Sequence, residues 1–120
     1  MSKYQFFKEE EFANCSPKCK LSDMDQSLMN KLDTARSLAG VPFIINSAFR
    51  TREYEIQHGR SGASFHTKGM AVDIKCKSST MRFRIVGALI ASGFTGIGIN
   101  KNFIHADIRE NKPLIFLYDK

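Results

Sequence analysis

The stretch Ser64-Phe65-His66-Thr67-Lys68-Gly69-Met70-Ala71-Val72-Asp73-Ile74 decides how this chain is read. From Gly69 to Cys76, apolar residues fall at alternate positions (Met70, Val72, Ile74 and Cys76), the period of a strand with one buried face. Asp73 then points to the opposite face, beside the small Ala71. A carboxylate in an otherwise apolar strand is expensive to desolvate unless something cationic compensates it. Taken alone, Asp73 reads as an Asp salt-bridged to one of the many Arg.

A second strand, Asn102 to Arg109, repeats the arrangement. Ile104, Ala106 and Ile108 form its apolar face, and Phe103, His105, Asp107 and Arg109 lie on the other. Two strands therefore each present a metal-type ligand on the face away from their hydrophobic residues. His66 lies seven residues before Asp73, across a Gly-containing turn that can fold it back. His66, Asp73 and His105 can then form a three-ligand N,N,O site with a fourth position open, the catalytic pattern for zinc. Zinc in such a site acidifies water and polarises a carbonyl, so hydrolysis is the natural reaction class.

Outward from these strands, the elements are short and mixed. A brief helix or turn is expected around Lys8 to Ala13. A longer helix starts at Ser22, with Asp25 completing a capping-box pattern, and carries Met24, Leu28, Leu32, Ala35 and Leu38 on one face. Gly40 and Pro42 stop it. Phe43 to Ser47 reads as a buried strand, and Ala48 to Lys68 as a long loop with one helical turn near Glu53 to Gln57; loops that long are usually functional. A helix over Ser79 to Ser92 buries Ile85, Val86, Leu89 and Ile90, and Gly93, Gly96 and Gly98 then break the chain into turns. The turn Glu110-Asn111-Lys112-Pro113 makes a hairpin between the Asn102 to Arg109 strand and a last strand, Leu114 to Tyr118. The expected class is α+β, a central mainly antiparallel sheet with flanking helices, in one domain over 1–120.

Ser64-x-His66-x-x-Gly69-x-Ala71-x-Asp73, followed by Phe103-Ile104-His105-Ala106-Asp107, closely resembles the zinc D-alanyl-D-alanine carboxypeptidases. Phage L-alanoyl-D-glutamate endopeptidases belong to the same superfamily, and the hedgehog signalling domain shares its fold. Upstream, Glu11-Phe12, a Cys-containing turn, the Leu21 to Leu38 helix and Ile45-Asn46-Ser47-Ala48-Phe49-Arg50-Thr51 follow the order of the small carboxypeptidase branch. The likeness covers about Phe7 to Arg109. It implies zinc held by His66, Asp73 and His105, and hydrolysis of peptide bonds in bacterial peptidoglycan. It also implies that Arg50 binds substrate and steadies a developing oxyanion, a role suited to a planar guanidinium. Ser47 and Ser64 are expected to orient substrate or loop backbone. Many members place a Glu or Asp three residues before the last His to act as general base; here that position is Asn102, which cannot accept a proton. Asp107 is the nearest substitute, and its reading stays open between the base and a partner that holds a ligand or Arg109.

Composition agrees with a folded domain. Among 120 residues 42% are hydrophobic and 25% charged, with ten Phe and three Tyr, enough to build a core without disulfides. Three Cys is a poor fit to a secreted disulfide scaffold. Cys76 belongs on the apolar strand face, and Cys15 and Cys19 are expected as free thiols. The opening Met1 to Glu10 turns acidic where a signal peptide needs an apolar run, and no apolar run is long enough to cross a bilayer. The net charge of +6 suits an anionic partner. The expectation is therefore a monomeric zinc peptidase without a transmembrane segment, made in a bacterial host cytoplasm and acting at the cell wall in phage lysis or entry. Its partners would be peptidoglycan peptides and anionic wall polymers. The alternative is a zinc-binding or peptidoglycan-binding module of the same fold with impaired catalysis, which Asn102 favours. A nucleic-acid-binding domain would explain the charge but not the placement of the three ligands.

Overall fold

A computed structural model describes residues 4–110 and 112–118. Helix α1 spans Glu9–Ala13 and α2 spans Gln26–Ala39; strand β1 spans Ile45–Ser47. Helix α3 (Arg52–Gln57) precedes β2 (Ala71–Lys75), α4 (Ser79–Ala91), β3 (Gly96–Ile99), β4 (Phe103–Asp107) and β5 (Leu114–Leu117). The five strands form one sheet in the order β1-β2-β4-β3-β5, antiparallel except where β5 runs parallel to β3. The α+β class with a mainly antiparallel sheet and flanking helices is thus observed.

The alternation read from the sequence sets the two faces. Val72, Ile74, Ile97, Ile104 and Ala106 are buried on the apolar face. They join one core with Leu28, Met29, Leu32 and Ala35 of α2 and with Ile85, Ala88 and Leu89 of α4. Phe7, Phe12, Phe43 and Phe94 fill its margins. Each of these large side chains contributes about 1.5–3 kcal/mol by leaving water. Cys15, Cys19 and Cys76 are free and buried, as expected.

Four local expectations are corrected. Helix α2 is capped by Asp25, whose carboxylate accepts from the Leu28 N–H at 2.9 Å, while Ser22 sits in a preceding 3-10 turn, Leu21–Asp23. Leu38 and Ile90 are exposed rather than buried, because each falls at the edge of its helix's apolar stripe. Gly96 and Gly98 lie inside strand β3 and do not mark turns. Finally, β5 does not form a hairpin with β4. Both edges of β4 are already taken, by β2 and by β3, so β5 passes to the far side of β3. Of the connecting residues expected to turn, Asn111 lies outside the described residues, as do Met1 to Lys3 at the start. No helix among the described residues is long and apolar enough to cross a membrane.

Candidate metal centre and cleft

One row of paired residues crosses the whole sheet. Ser47 pairs with Asp73, Asp73 with His105, His105 with Gly98, and Gly98 with Phe116. Paired residues share a face, so the row sets Asp73 and His105 side by side on the face opposite the core. His66 arrives from the 3-10 turn Phe65–Lys68 that leads into β2. That turn is tied to the chain following β1: the Arg50 N–H donates to the His66 carbonyl at 3.2 Å. One ligand atom from each of His66, Asp73 and His105 lies within 4.8 Å of the other two, and all three residues are buried.

The hydrogen bonds determine which ring nitrogens face inward. His66 Nδ1 lies 2.7 Å from the Ala48 carbonyl, which can only accept, so Nδ1 carries a proton and Nε2 is the nitrogen that faces Asp73. His105 Nε2 donates to Asp107 Oδ2 at 2.7 Å, which turns Nδ1 inward. His66 Nε2 and His105 Nδ1 stand 3.3 and 3.1 Å from the same oxygen, Asp73 Oδ1. Lone pairs facing at that range repel unless a cation or a proton stands among them. A tetrahedral zinc with bonds of about 2.0–2.1 Å sets its ligands about 3.3 Å apart, so these two separations and the donor set fit that ion. Burial works to raise the Asp73 pKa, but hydrogen bonds from His105 and His66 outweigh it and hold the carboxyl well below its usual range. Burial opposes the His105 imidazolium, yet its bonds to Asp107 and Asp73 raise it above the ordinary value.

Arg50 supplies the cation that Asp73 needs. Its Nη2 reaches Asp73 Oδ2 at 3.1 Å, Nη1 reaches Glu55 Oε2 at 3.3 Å, and Nε donates to the Ser47 hydroxyl at 3.0 Å. Glu55 was not singled out in the sequence. It is fully buried, accepts a short hydrogen bond from the Ser64 hydroxyl, and receives the Ser64 N–H at 3.4 Å. Burial pushes its carboxyl up, and the Ser64 and Arg50 contacts more than reverse this. The only sequence signal was a carboxylate within the helical turn at 53–57. Ser47 and Ser64 thus meet Arg50 from two sides, one directly and one through Glu55.

Asp107 is also fully buried. Besides His105, it accepts from Arg109 Nε at 2.8 Å, Nη2 at 2.5 Å and the Arg109 N–H at 3.1 Å. Burial works to raise its pKa; the bonds from Arg109 and His105 overcome this and keep it ionised. Glycine at 96 is what admits this pair: a Cβ there would collide with the Asp107 carboxylate and would stand 2.5 Å from Arg109 Nε. A Cβ at Gly98 would stand 2.6 Å from two ring atoms of Phe116, whose ring lies 5.6 Å from that of His105. Asn102 is exposed in the β3–β4 turn, where its N–H donates to Asn100 Oδ1.

A cleft of about 490 Å³ opens over the three donors. Ser16, Asn46, Ser47 and Ser64 bring neutral polar groups, Arg50 and Arg60 bring cations, and Phe103 and Tyr118 bring aromatic rings. Burial, with Asp73 beside it, pushes the Tyr118 hydroxyl up to about 12, so it remains a proton donor at neutral pH. His58 stays outside, stacked on Tyr54 and donating to its carbonyl. A larger hollow of about 610 Å³ beside Glu11, Asn14 and Pro42 touches none of His66, Asp73 and His105.

A search of curated proteins returned no match. The family described as Peptidase M15 matches residues 5–107, a span that includes the His66 turn, Arg50, both ligand strands and Asp107. On that match and this centre, the chain belongs to the Peptidase M15 family of zinc-dependent metallopeptidases.

Proposed function

We propose that this protein is a zinc peptidase that hydrolyses peptide bonds of bacterial peptidoglycan, as a D-Ala-D-Ala carboxypeptidase or an endolysin-type L-Ala-D-Glu endopeptidase. The observation that carries it is the convergence of His66 Nε2, Asp73 Oδ1 and His105 Nδ1 beside an open cleft. His66, Asp73 and His105 would hold the metal, which supplies Lewis-acid polarisation of the scissile carbonyl and an acidified water. Asp107 fixes the His105 ring through Nε2, the role of a carboxylate behind a ligand. Arginine has five N–H donors, of which three are engaged here, by Ser47, Glu55 and Asp73. The other two have no partner among the described residues and can meet an oxyanion in the cleft, and the Tyr118 hydroxyl offers a further neutral donor. The single domain, the monomeric state, the phage association and action at the wall belong to the same proposal. The charge of +6 favours anionic wall polymers.

A binding module without hydrolysis has one observation of its own. Among the described residues, Asp73 is the only carboxylate lining the cleft, and Asn102 stands outside it. Digestion of purified peptidoglycan by the zinc-loaded chain, with released peptides read by mass spectrometry, separates the two. Zinc-dependent release identifies the peptidase and its bond. Binding to the sacculus without release of any peptide overturns the enzyme reading in favour of the module.

A further inference from the structure

We infer that Arg60 is a specificity residue of the cleft, recognising a carboxylate that the substrate carries beside its scissile bond. This rests on the peptidase reading above and names the chemistry its substrate must have.

The charges of the cleft leave Arg60 as the group without a counterpart. Arg50 is matched by both Glu55 and Asp73, and Asp73 faces His66 and His105 as well as Arg50. Arg60 lines the same cleft, is exposed, and its guanidinium has no ion pair or hydrogen bond among the described residues. Its backbone is anchored nonetheless. The Arg60 N–H donates to the Glu55 carbonyl at 2.8 Å, at the end of the helix whose Glu55 side chain holds Arg50. Its charge also acts on Tyr118, which lines the cleft with it. An uncompensated cation on an anchored backbone, a protonated phenol and the neutral donors of Ser16, Asn46 and Ser47 form a wall suited to an anion and unfavourable to an amine. A guanidinium forks onto a carboxylate in a way that a lysine ammonium cannot.

The carboxylate can come from two places. It can be the free terminus of the residue being released, or the acid group of a glutamate next to the cut bond. Four probes distinguish them: N-acetyl-D-Ala-D-Ala and its C-terminal amide, and an L-Ala-D-Glu peptide and its D-Gln counterpart. Each is assayed for cleavage and, by titration calorimetry, for binding to the zinc-loaded chain, with wild type, Arg60→Gln, Arg60→Lys and Arg52→Gln. Arg52 is exposed on α3 and does not line the cleft, so it controls for loss of one positive charge. We expect wild type to prefer one acid over its amide, and Arg60→Gln to reduce that preference about tenfold through KM, as loss of one charge-assisted contact requires. Arg60→Lys retains part of the preference and Arg52→Gln all of it.

The acid and amide pair that responds identifies the source of the carboxylate. An unchanged preference in Arg60→Gln, or an equal fall in Arg52→Gln, overturns the assignment of Arg60 and leaves the peptidase standing. Arg60-dependent binding without any cleavage does the reverse. Neither binding nor cleavage of any probe by wild type defeats both.

Discussion

Replacing Asp107 with Asn tests whether this carboxylate holds a ligand or takes a proton. Asparagine keeps the volume of a fully buried side chain but places an NH2 where one oxygen was. One oxygen of Asp107 now accepts from His105 Nε2 and Arg109 Nη2, and the other accepts twice from Arg109. Whichever way the amide turns, a donor faces a donor. With the amide oxygen left to the twofold Arg109 contact, His105 loses its anchor and its ring orientation. Losing such a partner costs about 10–100-fold in metal affinity, equal to about 1.4–2.7 kcal/mol. The weakened Arg109 pairing adds about 1–3 kcal/mol of lost stability. Zinc affinity is measured by competition with a chromophoric chelator, and thermal melting of the metal-free chain reports the stability part separately. Zinc affinity within twofold of wild type, together with a hundredfold or greater loss of peptidoglycan turnover, would refute the reasoning. That result would make Asp107 the proton acceptor.

Three further outcomes follow from the geometry. Glu55→Gln should cost about 1–3 kcal/mol at pH 7 by removing the anion held by Arg50 and Ser64. Because the folded carboxyl lies below its ordinary value, that stability is full above the unfolded pKa and is lost as pH falls through the folded one, so the melting curves of mutant and wild type should converge below about pH 4. Gly98→Ala puts a Cβ 2.6 Å from the Phe116 ring, an overpacking worth about 1–3 kcal/mol that calorimetry should read as a lower Tm; an unchanged Tm contradicts the close approach. Zinc at about a hundred times its Kd should stabilise the chain by about 2.7 kcal/mol, and EDTA should remove that gain; a Tm indifferent to both would exclude the His66, Asp73 and His105 site.

The facing of Asp73 and His105 away from the core is legible because alternation is local. Once Val72 and Ile74 face the core, Asp73 cannot, and the same holds for His105 between Ile104 and Ala106. The pairing of Asp73 with His105 needed the sheet order, which no single strand encodes. Glu55 was missed for a related reason: in sequence it is one charge on a short helix, and only the return of that helix over Arg50 buries it. The glycines of β3 resemble turn formers by composition, and their role becomes visible only against Asp107, Arg109 and Phe116. The placement of β5 failed on a nonlocal fact, the prior occupation of both edges of β4. The misplaced cap at Ser22 was a local contest, decided for Asp25 by the 3-10 turn before it.

Strand β3 gives the working face a floor without side chains. Two bare positions let its neighbours lie across it, so β3 contributes flatness where the other strands contribute chemistry. On the peptidase reading, substrate preference is then left to the rim: the turn bearing Ser16, the loop bearing Arg60 and the strand end bearing Tyr118. These sites can change without moving the row that holds His105 and Asp73, so variants seeking a new substrate should randomise the rim and leave positions 96 and 98 alone.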